Sequence, residues 1–161
     1  MYVIKRDGSN QLVSFDKIIN RLKPLCDGLH LSVDPVEISQ QVVGGLYSGV
    51  QTSVLDDLAS ETAAARISQH PDYGVLAARI FATNLHKNTT DTFSENIKKM
   101  ANYYNPETGE HAPLISYEIA SFVSKHAGDL NSIPDYQRDL EYDFFGLKTL
   151  YRSYLLRMNG K

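Results

Sequence analysis

The stretch VIKRDGSNQLVSFDKI, residues 3–18, determines how the chain begins to fold. Residues 2–6 and 11–14 are short runs enriched in apolar and β-branched side chains, which predicts two strands. The four residues between them have the composition of a tight turn, and the glycine among them is able to adopt a positive φ. The sequence therefore predicts a β-hairpin, and it places two basic residues, Lys5 and Arg6, at the end of the first strand.

Helix signals follow the hairpin. A first helix is expected to start at Ser14 or Phe15, and Pro24 is expected to weaken or end its last turn. The Asp-Pro pair at 34–35 marks the start of a second helix, because Asp is a favoured N-cap and Pro is favoured in the first turn. This second helix is predicted to break around Gly49.

Two more helices complete the first part of the chain. Thr52 and Ser53 offer a cap for a third helix, and Asp56 follows Ser53 at the spacing of a capping box. This helix is predicted to run to about Gln69, where His-Pro-Asp at 70–72 ends it and starts a fourth. The first unit is therefore predicted as a hairpin with four helices.

The composition changes near residue 90, where a polar stretch suggests a joint between two units. The second unit is predicted to contain a helix through Ile97 and Met100, a loop over 104–113, a helix over 115–125 and a connection over 126–137. A final helix presents one apolar face, formed by Leu147, Leu150, Tyr151, Tyr154, Leu155 and Met158. Asn159-Gly160 is predicted to cap that helix.

Composition restricts the function classes. Hydrophobic residues make up 42% of the chain and charged residues 22%, which is typical of a globular protein. The net charge of −3 argues against generic nucleic-acid binding. Because no apolar run suits a membrane helix or a signal peptide, we expect a reducing intracellular compartment. A single cysteine, Cys26, rules out a Cys-rich zinc site, an internal disulfide and a CxxC pair, and its apolar context favours a core position.

Three basic residues, Lys5, Arg6 and Lys17, are candidates for an anion site. Solvated surface charges are the ordinary interpretation of such a set. The alternative is that they converge at the N-terminus of the first helix, where backbone N–H groups and the helix dipole favour a phosphate. Because the chain contains neither GxxxxGK[ST] nor GxGxxG, any nucleotide site has to be built in another way.

Other polar residues allow two interpretations each. Thr52 and Asp56 are either a helix cap and a first-turn acid, or contacts to a ribose or base. Lys87 either complements the dipole at the end of the fourth helix, or is brought near the hairpin by antiparallel packing. The five histidines lack metal-binding spacing, and no catalytic pairing of nucleophile and base is recognisable.

Four segments together resemble a known family. In order, they read MYVIKRDG…VSFDKI, LYSGVQT…LDDLASETAA, HPDYGVLAARI…NLHK and YDFFGLKTLYRSYLLRMNGK. They resemble the N-terminal region of the large subunit of class I ribonucleoside-diphosphate reductase of the eukaryotic type. The resemblance extends over essentially all 161 residues, and the family subunit is several times longer.

The resemblance implies a mainly α fold with an N-terminal β-hairpin. Residues 1–90 would form an ATP-cone, a helical bundle that binds ATP or dATP, and residues 91–161 the incomplete helical start of the catalytic subunit. In the family, ATP in the cone activates the enzyme and dATP inhibits it through altered subunit assembly. The positions that match the family's nucleotide-binding residues are Lys5, Arg6, Gln11, Leu12, Val13, Ser14, Phe15, Asp16, Lys17, Thr52, Asp56 and Lys87.

The resemblance also implies roles for these residues. The basic members would bind phosphate, Thr52 and Asp56 would lie near the sugar and the base, and Mg²⁺ would help to neutralise the triphosphate. The family's reaction, which makes deoxyribonucleotides for DNA synthesis, uses a thiyl radical and a redox pair of cysteines. A chain with Cys26 alone is therefore expected to regulate without catalysing the reaction.

The implied partners are further copies of the reductase large subunit and the small radical-generating subunit, in the cytoplasm and without nucleic acid or membrane. Two alternatives stay open at this point. One is a nucleotide-responsive transcription regulator, and the other is a helical protein-interaction module without a ligand. Nucleotide binding separates the first interpretation from the last, and the transcription regulator would also have to bind DNA.

Overall fold

A computed structural model of the chain describes residues 1–158, so the predicted Asn159-Gly160 cap lies outside the described residues. The fold is mainly α-helical with a small sheet near the N-terminus, as predicted. Within the described part, no helix combines the length and the hydropathy that crossing a bilayer requires.

The chain divides into two compact units. The first contains residues 1–88 together with 137–149, and the second contains residues 89–136 and, of the described residues, 150–158. The elements of residues 1–88 are β1 (Tyr2–Ile4), β2 (Asn10–Leu12), α1 (Phe15–Leu22), α2 (Pro35–Gly44), β3 (Val50–Gln51), α3 (Thr52–Ala64) and α4 (Asp72–Asn88).

The predicted hairpin is present, and it is part of a larger sheet. β1 and β2 are antiparallel, with Val3 opposite Gln11, and Gly8 in the connecting turn has a φ of 82°. The sequence did not predict β3, which pairs parallel with β1 so that Val3 also lies opposite Val50. Gly49 directs the chain into this strand, with a φ of 86° and an N–H that donates to the carbonyl of Tyr2 at 2.8 Å.

Two helices end earlier than predicted. α2 ends at Gly44 rather than near Gly49, because the next two N–H groups bond to carbonyls only three residues back. α3 ends at Ala64 rather than Gln69, where the same tightening occurs. The predicted cap of α3 was also wrong, since Gln51 is its N-cap.

Other helix signals were read correctly. Asp34 caps α2 by accepting a hydrogen bond from the Val36 N–H at 2.7 Å. α1 gives way to a 3₁₀ turn, Lys23–Cys26, where the ring of Pro24 removes an N–H donor.

The core of the first unit lies between the sheet and the four helices. α3 and α4 form its most extensive helix pair, and small residues on α3 such as Ala59 and Ala63 allow the two backbones to approach closely. The largest side chains that are fully buried here are Leu22, Ile38, Val42, Val50, Tyr73, Leu76 and Ile80. Leu22 and Val42 also form part of the apolar lining of the cavity described below.

Residues 137–149 pack against α3 and α4 within the first unit. Phe144 meets Phe81 edge to face, with ring centroids 6.1 Å apart. The Lys148 ammonium lies 4.7 Å from the centre of the Phe81 ring and 3.1 Å from a carboxylate oxygen of Glu61. No local sequence pattern predicts this placement, since the contacts join segments that are distant in the chain.

The second unit is a small group of helices. Its described elements are α5 (Phe93–Ala101), α6 (Tyr117–Lys125), α7 (Ala127–Asn131) and the last part of α8 (Phe144–Ser153). α7 lies in a segment that was predicted to be a plain connection. α8 ends at Ser153, so the prediction that its helical face reaches Met158 was wrong.

Candidate functional site

A cavity of about 460 Å³ opens between the sheet and helices α1 and α3 of the first unit. This volume lies within the range of roughly 300–1,000 Å³ that small-molecule sites occupy. Its apolar lining comes from β1, β2, α1, α2, α3 and the link between β2 and α1. These residues are Val3, Leu12, Val13, Ile18, Leu22, Val42, Leu55 and Ala59. An apolar wall of this kind suits the flat face of a base or another aromatic ligand.

The polar lining of the cavity is predominantly cationic. Within residues 1–158, five cationic side chains line it, which are Lys5, Arg6, Lys17, Arg21 and Lys87. Two carboxylates, those of Asp7 and Asp56, line the same space. Because the chain as a whole carries a net charge of −3, this local excess of positive charge favours an anionic ligand.

Local structure explains why these cations converge. Lys5 and Arg6 directly follow β1, and the turn that holds them is closed by the Lys5 N–H donating to the carbonyl of Ser9 at 2.9 Å. Lys17 and Arg21 are four residues apart on α1, so they lie on one helix face. Lys87 is in the last turn of α4.

Asp56 is the centre of the ion pairs in the cavity. Its Oδ2 lies 3.2 Å from Nη2 of Arg6 and 3.7 Å from Nζ of Lys87, and its Oδ1 lies 3.3 Å from Nε of Arg21. Asp56 is only 8% exposed. By contrast, within residues 1–158 the ammonium groups of Lys5 and Lys17 have no carboxylate within 4 Å.

Arg6 is held in place by the last turns of α4. Its Nε donates to Oδ1 of Asn88 at 2.7 Å, and its Nη2 donates to Oδ1 of Asn84. The buried Asn84 amide in turn donates to the carbonyl of Ser53 at 3.1 Å and to Oδ1 of Asp57 at 2.8 Å. Burial raises the pKa of the Asp57 carboxyl, and the hydrogen bond from Asn84 partly offsets that effect.

Arg21 is a cavity residue that was not predicted from the sequence. Its Nη2 donates to Oγ1 of Thr83 at 2.6 Å. Its Nε is buried and lacks a hydrogen-bond acceptor in the described part of the chain, although the Asp56 carboxylate is close enough for an ion pair. The four-residue spacing from Lys17 was the signal in the sequence that could have identified it.

The ammonium group of Lys87 is destabilised in the folded chain. Burial lowers the pKa of Lys87 below its ordinary value of 10.5, and the neighbouring charges of Arg21 and Arg6 lower it further, while Asp56 opposes the change. A bound anion would stabilise the charged form of this side chain.

The N-terminus of α1 borders the cavity through Val13, Ser14 and Lys17. Ser14 has the extended conformation of an N-cap residue, but its side chain makes no capping hydrogen bond. The first N–H groups of a helix have no intrahelical acceptor, and they lie at the positive end of the helix dipole. Backbone donors therefore add to the side-chain cations around this cavity.

Ten of the twelve predicted site residues line the cavity, which are Lys5, Arg6, Gln11, Leu12, Val13, Ser14, Lys17, Thr52, Asp56 and Lys87. The cavity lining does not include Phe15 and Asp16. Both are exposed, since each residue of a helix is rotated by about 100° from the last and the cavity face is taken by Lys17 and Arg21.

The remaining candidates for chemistry are the thiol of Cys26 and the side chains that could bind a metal ion. Burial raises the pKa of the Cys26 thiol, which lowers the fraction of nucleophilic thiolate. Within residues 1–158, no group of three or more His, Cys, Asp or Glu side chains is arranged to hold a metal ion.

Comparisons with known proteins give one family match and several similar sequences. Residues 1–88 match the family described as "ATP cone domain". The chain is 53% identical to the ribonucleoside-diphosphate reductase large subunit of Dictyostelium discoideum, and 52% identical to both the large chain of Schizosaccharomyces pombe and the large subunit of Danio rerio. Each match covers 100% of this chain and 19% or 20% of the relative. The chain therefore spans about a fifth of the length of these relatives.

Proposed function

We propose that the cavity binds ATP and dATP as allosteric effectors, because the chain belongs to the ATP-cone domain family. The observation that carries this proposal is the set of five cations around one cavity in an otherwise acidic chain. The apolar lining offers a place for the base, and the cationic lining offers a place for the phosphates.

The expected affinity follows from the number of charged contacts. A hydrogen bond to a charged group contributes about 1.5–3 kcal/mol. A dissociation constant of about 1 μM corresponds to about 8 kcal/mol at 25 °C. Several phosphate contacts, less the free-energy cost of ordering the ligand, therefore suffice for binding in the micromolar range.

Within this proposal, Lys5, Arg6, Lys17 and Lys87 bind phosphate together with backbone N–H groups from the segment Gln11–Lys17. Thr52 and Asp56 lie near the sugar and the base. Mg²⁺ neutralises part of the triphosphate charge. It can do so without the cluster of protein ligands that residues 1–158 lack, because Mg²⁺ bound to a nucleotide is coordinated largely by phosphate and water oxygens.

For the whole protein, we propose a ribonucleoside-diphosphate reductase large subunit in which residues 1–90 form the nucleotide-sensing domain and residues 91–161 begin the catalytic part. The reduction of ribonucleoside diphosphates then uses cysteines outside these 161 residues, since Cys26 is the single cysteine here. Self-association of the large subunit, pairing with a small radical-generating subunit, and a cytoplasmic location belong to the same proposal.

Calorimetric titration of the 161-residue chain tests the binding proposal. ATP and dATP with Mg²⁺ are expected to bind saturably in the micromolar range, and adenosine is expected to bind far more weakly because it lacks phosphates. Adenosine binding as tightly as ATP would contradict the role of the cations. Failure of both nucleotides to bind would contradict the proposal and favour a ligand-free interaction module.

A further inference from the structure

Three of the five cavity cations are already paired with a carboxylate of the protein itself. Oδ2 of Asp56 contacts Arg6 and Lys87, and its Oδ1 contacts Arg21, at 3.2, 3.7 and 3.3 Å respectively. Asp56 is largely buried, so its charge is poorly screened by solvent. A phosphate that binds these cations has to approach the same carboxylate.

Two of the three ion pairs around Asp56 are not hydrogen bonds. The Nζ of Lys87 is 3.7 Å away, beyond ordinary hydrogen-bond distance, and the buried Nε of Arg21 forms no hydrogen bond in the described part of the chain. Among residues 1–158, Arg6 is the one side chain that donates a hydrogen bond to the Asp56 carboxylate. Donor capacity is therefore left for an anion with more oxygens than a carboxylate.

We propose that Asp56 is the internal counter-anion of these cavity cations, and that the phosphates of the ligand replace it at Arg6, Arg21 and Lys87. This inference rests on the proposed function. It adds Arg21 to the phosphate-binding set, and it assigns Asp56 an electrostatic role that is independent of the sugar.

Charge balance explains why such a group is useful. Without Asp56, the nearby cations would repel one another in a partly buried space and would weaken the folded state. With Asp56, the protein's own charges around the site are closer to balanced, and a ligand must carry enough negative charge to displace the carboxylate. Tripolyphosphate is therefore expected to bind, and inorganic monophosphate is expected to compete poorly.

The test uses tripolyphosphate, which has the phosphates of the ligand and no sugar or base. Its affinity is measured by calorimetry at fixed ionic strength for the 161-residue chain and for Asp56→Asn, with ATP titrated in parallel. Removing the competing charge is expected to tighten tripolyphosphate binding by roughly tenfold. Glu61→Gln is the matched control, because it removes the same charge from α3 at a site outside the cavity, and its affinity is expected to be unchanged.

An unchanged or weakened affinity of Asp56→Asn for tripolyphosphate, with ATP binding to the unaltered chain intact, would overturn the counter-anion role alone. Failure of the unaltered chain to bind ATP would instead overturn the proposed function. NMR of the unaltered chain gives a second readout that needs no variant. Tripolyphosphate should shift the Nε–H resonance of Arg21 and the carboxylate carbon of Asp56 together, and the absence of both shifts at saturation would refute the exchange.

Discussion

Replacing Arg6 with alanine tests the phosphate role most directly. Arg6 is anchored by Asp56, Asn84 and Asn88, so its guanidinium is already positioned before a ligand arrives. Removing a charged contact to phosphate costs about 1.5–3 kcal/mol, which is about a 10- to 150-fold increase in Kd. Because ATP and dATP have the same phosphates, the loss is expected to be equal for both.

Arg6→Ala is expected to lower the free energy of unfolding by less than it weakens the free energy of nucleotide binding. After Arg6→Ala, Asp56 keeps its ion pairs with Arg21 and Lys87. Asn84 keeps its hydrogen bonds to the Ser53 carbonyl and the Asp57 carboxylate. The unfolding free energy should therefore fall by about 1 kcal/mol, as for a partly exposed ion pair.

The assay is calorimetric titration of the unaltered chain, Arg6→Ala and Lys23→Ala with ATP and with dATP, combined with urea unfolding of each. Lys23→Ala is the control, since it removes a positive charge from the exposed turn after α1 and outside the cavity. Unchanged affinity of Arg6→Ala for both nucleotides would remove Arg6 from the phosphate site. A loss confined to one nucleotide would show that Arg6 contacts the sugar instead.

Three further predictions concern the pH dependence, the sugar and the core. Because the pKa of Lys87 is lowered by folding, the unfolded chain binds more protons than the folded chain between this pKa and 10.5, so the contribution of Lys87 to the unfolding free energy rises with pH in that range. Nucleotide affinity is expected to fall over the same range, because the bound phosphates need the charged ammonium group. Calorimetry should detect proton uptake on nucleotide binding, and Lys87→Arg should flatten the pH profile of the affinity. Asp56→Asn is expected to lower the unfolding free energy, because three cations lose their counter-charge, and to move the ratio of the Kd values for ATP and dATP toward one. An unaltered ratio in the folded variant would exclude Asp56 as the residue that senses the 2′-hydroxyl. Ile38→Ala should lower the unfolding free energy, measured by urea unfolding, by about 2–5 kcal/mol because Ile38 is fully buried. Val36→Ala, on the more exposed face of α2, should have a much smaller effect. Equal effects of the two substitutions would contradict the described packing.

Several elements were predictable because their signals are local. The turn at Gly8 and the N-cap at Asp34 involve hydrogen bonds between residues two to four positions apart, so the residue types alone identify them. Helix ends were less predictable. α2 and α3 end where hydrogen bonding changes from four-residue to three-residue spacing, and Gly44-Gly45 and the Ala63–Ala65 run leave that choice to the surrounding packing.

The candidate site was predictable in part. The resemblance to the family led to ten residues that line one cavity, but it did not include Arg21 or Asn84. Arg21 donates to Thr83, which is 62 positions away, and Arg6 donates to Asn88, which is 82 positions away. Periodicity and capping rules describe neighbours within a few residues, so neither contact is visible from them.

The amino-acid sequence by itself determined the hairpin, the approximate positions of the helices, the basic residues at the end of β1 and the start of α1, and the single cysteine. Only the tertiary structure decided that Val50–Gln51 joins the sheet and that residues 137–149 pack in the first unit. It also decided that the buried Asp56 carboxylate lies within ion-pair distance of three cationic side chains. The physical reason is that turns and caps are formed by adjacent residues. The electrostatics of the cavity depend instead on side chains that approach one another only after β1, α1, α3 and α4 have packed together.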